Sequence, residues 1–198
     1  MDKSRSREAG DAMTDIPVIA EAPIGDGSGA PSSYAVTISD DDVMRALGDF
    51  LSRVTGAEVI QGQQNRVPEP KSANFITMIS AGRVQLATTT HESDIEVNRI
   101  AATRSTRCDM QINVYGPRAT DNGQIITTLF RDDFGCEFLA PYGMAPLYCD
   151  DGRQMPLVNG EFQYEQRWLI RASLQINPSV STPAQFADTV TPTFVEVA

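Results

Sequence analysis

Thr106-Arg107-Cys108-Asp109-Met110-Gln111-Ile112-Asn113-Val114-Tyr115 decides the fold of this 198-residue chain. Thr106, Cys108, Met110, Ile112 and Val114 alternate with Arg107, Asp109, Gln111, Asn113 and Tyr115. A period of two sends successive side chains to opposite faces of a strand, so this one has a core face and a polar face. Gly116 ends it. Pro117 then fits the first position of a helix in which Ile126, Leu129, Phe130 and Phe134 recur at helical spacing until Gly135.

Upstream, Ser39 can N-cap a helix whose first turn, Asp40-Asp41-Asp42, complements the positive end of the helix dipole. Val43, Leu47, Phe50, Leu51 and Val54 give that helix one apolar face, and Gly56 stops it. Strands are predicted at 58–62, 74–80 and 83–89, the last two joined around Ala81-Gly82 as a tight hairpin, with an extended piece at 93–101. Downstream, Asn159-Gly160 signals a type I′ turn between a short strand at 154–158 and a long one from Glu161 to Asn177. In the long one Phe162, Tyr164, Trp168, Ile170, Ala172, Leu174 and Ile176 share one parity. Its length exceeds the usual ~5 to 6 residues, so it either bends or leaves the body as part of a hairpin, and Pro178 stops it. A turn near Pro183 to Asp188 and an edge strand at Thr193 to Val197 complete the reading.

This order of elements predicts an α+β fold: a mainly antiparallel or mixed sheet, two helices packed on one face, and a long hairpin strand. Residues 34–198 form a single domain on this reading. Residues 1–33, rich in Gly, Ser, Pro, Ala and acids and lacking apolar periodicity, read as a disordered, flexible N-terminal arm.

Composition narrows the function. Hydrophobic residues make up 41%, in runs well short of the ~20 residues a membrane span requires, so a soluble protein is expected. The charged start Met1-Asp2-Lys3-Ser4-Arg5-Ser6-Arg7 is followed by Glu8 and Asp11 instead of an apolar stretch, which does not fit a signal peptide and points to assembly in a cytoplasm. A net charge of -10 argues against gripping nucleic acid through its phosphates. Lys3 and Lys71 are the only lysines, so almost every cation is an arginine, whose planar fork suits carboxylate and backbone contacts. Cys108, Cys136 and Cys149 are odd in number and lack C-x-x-C spacing; they read as small buried hydrophobes, not as a disulfide framework or a zinc site.

Catalytic chemistry is sparse in the chain. His91, Glu92, Ser93 and Asp94 have the residue types of a hydrolase triad, but consecutive side chains in an extended loop diverge and cannot converge on a substrate. The acids at Asp40 to Asp42, Asp132-Asp133 and Asp150-Asp151 read as a helix N-terminus, a solvated helix face and a turn before Gly152. No P-loop, dinucleotide-binding or nucleophile-elbow pattern is present, and no catalytic, metal or cofactor site is assigned. What remains is contact chemistry. In Val59-Ile60-Gln61-Gly62-Gln63-Gln64-Asn65-Arg66-Val67-Pro68-Glu69-Pro70 the prolines stiffen the backbone, lowering the ordering cost of docking. Gln63, Gln64, Asn65, Arg66 and Pro68 are therefore candidate interface residues, together with Arg153 and Gln154 ahead of Met155-Pro156.

Several of these segments lie together in one order: Gln64-Asn65-Arg66-Val67-Pro68, Tyr115-Gly116-Pro117, Asp121-Asn122 with Leu129-Phe130-Arg131, Arg153-Gln154-Met155-Pro156-Leu157, and Gln175-Ile176-Asn177-Pro178. In that order they resemble the phage neck and tail-terminator family, over about residues 40 to 190. The resemblance implies a structural virion protein of the neck, not an enzyme. It implies a ring, a homohexamer, that terminates the tail tube and joins it to the head connector, with DNA passing non-specifically through the lumen. The implied partners are further copies of the chain, tail tube and sheath proteins, and head connector or adaptor proteins, with no membrane. A head-completion ring on the head side of the junction, and a soluble ligand-binding or enzymatic domain, are the alternatives.

Overall fold

The computed structural model describes residues 34–63, 70, 72–155, 157–158 and 164–184. The expected arm at 1–33, the Asn159-Gly160 turn, positions 185–188 of the expected turn and the edge strand at Thr193 to Val197 lie outside the described residues.

The first helix, α1 (Asp40–Thr55), forms where its caps place it. The Ser39 hydroxyl accepts from the Asp42 N–H at 3.2 Å while the Asp42 carboxylate accepts from the Ser39 N–H at 2.9 Å, a reciprocal capping box. Gly56, at φ 65°, closes the other end in the left-handed conformation. Strands β1 (Glu58–Gln61), β2 (Phe75–Gln85), β3 (Thr90–Asp94), β4 (Arg99–Thr103) and β5 (Thr106–Tyr115) follow, then α2 (Ala119–Leu129), α3 (Asp133–Leu139) and a 3-10 turn at Ala140–Tyr142. The remaining strands are β6 (Met144–Cys149), β7 (Arg153–Gln154), β8 (Leu157–Val158), β9 (Tyr164–Glu165), β10 (Arg167–Ile176) and β11 (Ser179–Pro183).

The main sheet has the order β1-β2-β5-β10-β6, with β7 also paired to β10. Only β1 and β2 run parallel in it; the other neighbours are antiparallel, so the fold is α+β with a mixed, mainly antiparallel sheet. β3, β4 and β11 make a separate three-stranded sheet, and β8 with β9 a short ribbon. The parity read from the sequence of β5 is the one the core uses. Cys108, Met110, Ile112 and Val114 are buried beside Leu174, Ala172 and Ile170, under Val43, Leu47, Phe50 and Leu51 of α1 and Ile126 of α2. Phe50 is the hub, meeting Phe130 and Phe138 edge-on at 5.9 and 5.7 Å.

Several expectations are corrected. Ala81-Gly82 does not turn the chain: β2 is one strand, and its register against β5 shifts between Ser80 and Gly82, so the extra residue is absorbed as a bulge. The tight hairpin lies further on, between β3 and β4, where an extended piece was expected. The second helix is two helices. Asp132 adopts an extended ψ of 166° between α2 and α3, and Gly135 lies inside α3, where a Cβ would collide with the Phe130 carbonyl. The long strand starts its pairing with β5 at Arg167, whereas Tyr164–Glu165 pairs with β8, so the chain changes partners at Gln166 and takes the hairpin course. The short strand at 154–158 is likewise split between β7 and β8. Of the cysteines, Cys108 is buried and Cys149 half-buried, but Cys136 is exposed on α3.

Candidate functional site

Helices α1, α2 and α3 pack against one side of the main sheet, and the opposite side carries a connected polar surface. The register puts Tyr115, Asn113, Gln111, Asp109 and Arg107 of β5 beside Arg167, Leu169, Arg171, Ser173 and Gln175 of β10 on that side. Phe75, Thr77 and Ile79 of β2 flank the first three. Asn113 sits at the centre, 1% exposed. Its side-chain oxygen accepts from Arg167 at 2.8 and 3.3 Å and from Gln111 at 3.3 Å, while its amide donates to Thr77 at 3.0 Å. The Arg167 guanidinium lies 5.8 Å from the centre of the Tyr115 ring, which stacks on Phe75 at 4.5 Å.

Nearer β6, Asp109 accepts from Ser173 at 2.6 Å and from Arg107 at 3.1 Å. Beside it Arg153, Arg171, Tyr148 and Asp150 line a depression of about 530 Å³. Asp150 is fixed there by accepting the Arg171 backbone N–H at 2.6 Å. Among the described residues neither Arg153 nor Arg171 has an ion-pair partner.

The sequence candidates fall at two places. Arg153 and Gln154 are exposed on β7, and because Arg153 pairs with Leu169 its side chain belongs to the uncovered face and reaches the depression. Gln154, opposite Trp168, takes the other parity. Gln63 is exposed at φ 62° in the turn after β1, next to Gly62, whose N–H donates to the Met78 carbonyl at 2.6 Å. Gln64, Asn65, Arg66 and Pro68 lie outside the described residues. Since β2, β5 and β10 separate β1 from β7, the strand that precedes Gln63 and the strand that carries Arg153 stand about 19 Å apart across the sheet at ~4.8 Å per strand. Arg107, Asp109, Asn113, Arg167 and Arg171 were not singled out from the sequence, although their shared parity was visible there.

Other reactive groups are placed elsewhere. His91 is in strand β3, not in a loop, and faces Ala102 across the ladder, with Glu92 and Asp94 on the opposite parity. Burial, then the Asp150 and Asp151 charges, push the Cys149 thiol up to about 12, and burial also raises Cys108. Both stay protonated and unreactive near neutral pH. No group of three or more His, Cys, Asp or Glu among the described residues is placed to hold a metal ion. No helix among them is long and apolar enough to cross a membrane.

Arginines, amides and stacked rings, half-buried on a sheet face that no helix among the described residues covers, are the chemistry of a protein-contact surface. The fold and this surface present contact chemistry on an α+β scaffold. The chain matches the family model for phage neck terminator protein over residues 41–197 and belongs to that family. It is therefore a structural protein of the phage neck and a component of the virion, acting with other head and tail proteins. Comparison with curated proteins finds no match.

Proposed function

We propose that the protein closes into a ring at the top of the tail, halts addition of tube subunits and offers its other side to the head connector. Family membership supports the position, and the uncovered polar face of the sheet carries the assembly reading. That face holds hydrogen-bonded charged groups that one protomer alone leaves partly in water, and a neighbour would complete their desolvation. A ring needs a heterologous contact, two different patches meeting head to tail, and six copies of the 21.6 kDa chain would weigh roughly 130 kDa. DNA passes through its lumen without being held, in keeping with the net charge of -10.

In this reading Gln63, Gln64, Asn65, Arg66 and Pro68 contact a neighbouring subunit or the tube, and Arg153 and Gln154 lie at a second contact. Residues 1–33 act as an arm and residues 34–198 as a single working domain. Interrupting the gene is expected to give DNA-filled heads and unjoined tails; normal joined virions would refute the function. Arg66→Ala tests the loop, since intact ring formation and head-to-tail joining in that variant would remove it from the interface.

A further inference from the structure

The depression beside β10 and the tip of the β3–β4 hairpin are complementary surfaces on one chain. The tip is Asp94-Ile95-Glu96-Val97-Asn98. Its shape is fixed, because the Asp94 carboxylate accepts the N–H groups of Glu96 and Val97 at 3.1 and 3.3 Å and Asn98 takes a left-handed φ of 51°. Its base is held by β4 pairing with β11, where Arg99 donates to Ser181 at 3.0 Å. The hairpin therefore presents Ile95 and Val97 to solvent, 67% and 60% exposed, with the carboxylates of Glu92 and Glu96 beside them. Neither carboxylate has a side-chain partner among the described residues. The depression offers the cations Arg153 and Arg171, without ion-pair partners among the described residues, and the Tyr148 ring, 54% exposed, as an apolar wall; of its two carboxylates, Asp109 is paired with Arg107 and Asp150 is held on the Arg171 backbone N–H. No hairpin residue lines the depression of its own chain.

We propose that the hairpin of one copy seats in this depression of the next. Glu92 and Glu96 then meet Arg153 and Arg171, and Ile95 and Val97 pack on Tyr148. The inference rests on the ring reading and supplies its subunit contact. Because hairpin and depression are different patches, each copy can give one and receive one, which is what a closed heterologous ring requires. Charge sets the register, and the apolar tip supplies buried area.

The test uses the full chain, with the assembly state followed by mass photometry over a concentration series and folding checked by circular dichroism. The changes Arg153→Glu with Arg171→Glu, and Glu92→Lys with Glu96→Lys, fall on exposed positions. Each pair alone is expected to raise the concentration of half-assembly at least roughly tenfold, since like charges then meet. An equimolar mixture of the two variants is expected to assemble as the wild type does. In alternating order every contact in the mixture pairs opposite charges. If either variant assembles normally, or both fail and the mixture stays apart, the seating is wrong while the ring reading stands. If the arginine variant assembles normally but loses retention of duplex DNA, the depression is a nucleic-acid surface and the proposal falls. A wild-type chain that never assembles overturns the ring reading and this contact with it.

Discussion

Arg167 donates two hydrogen bonds, at 2.8 and 3.3 Å, to the side-chain oxygen of Asn113, a residue only 1% exposed, and so ties β5 to β10 on the uncovered face. Asn113→Ala removes that acceptor and the donor to Thr77. A loss of about 1–3 kcal/mol is expected, read as a lower urea midpoint at unchanged slope. An unchanged midpoint would mean the network is not formed in solution.

Gly116 closes the same strand at φ 99°, and a Cβ there would run into the Ala73 carbonyl. Gly116→Ala is therefore expected to destabilise by more than ~1 kcal/mol, whereas a relaxed site would be stabilised by about 0.4–1 kcal/mol. Thermal melting compared with Gly82→Ala, where a Cβ meets open space, separates the steric clash from a generic glycine effect.

Phe50 is fully buried among Phe130, Phe134 and Phe138. Phe50→Ala is expected to cost about 3–5 kcal/mol, against less than ~1.5 for Leu51→Met. Equal losses at the two sites would show that the aromatic cluster is not the hub of the core.

The capping box at Ser39 makes a pH-dependent contribution. The Ser39 hydroxyl and backbone N–H donate to Asp42 and hold its carboxyl below the ordinary value of 3.8. A lowered folded-state value means that the contribution is present above about pH 3.8 and is lost as pH falls below it. Ser39→Ala should remove about 1 kcal/mol near neutral pH and flatten this part of the acid limb. Parallel acid limbs in denaturation curves of the two proteins would contradict the assignment.

The thiols should separate cleanly. Cys136 is exposed, whereas Cys108 is buried and Cys149 is pushed up to about 12. Alkylation at pH 8, followed by intact mass, is expected to add one group quickly to the folded chain and two more only on unfolding. Rapid labelling at three positions would show that the β5 and β6 environments are open.

Much of the fold was legible where local chemistry and tertiary environment agree. β5 alternates because one side meets α1 and α2, and α1 carries its own capping signals at Ser39 and Gly56. The sequence misled where a turn-like pair served another purpose: Ala81-Gly82 forms a bulge, and Gly135 makes room for the Phe130 carbonyl. β11, a short strand ending at Pro183, is defined by its partner β4 and has little local signal of its own. The polar face of the sheet was half legible. The polar parity of β5 was plain, but Arg167 to Asn113 spans 54 positions and Ser173 to Asp109 spans 64, distances over which no spacing rule operates. Arg153 was named because it stands in a motif-like block; Arg171 lay unremarked in the alternation of β10.

The most direct test of the neck-ring account is the native mass of the full-length chain across a concentration series. The account predicts a closed species near six copies, roughly 130 kDa from the 21.6 kDa chain, with no open-ended ladder above it. A chain that stays a monomer or dimer throughout would contradict it.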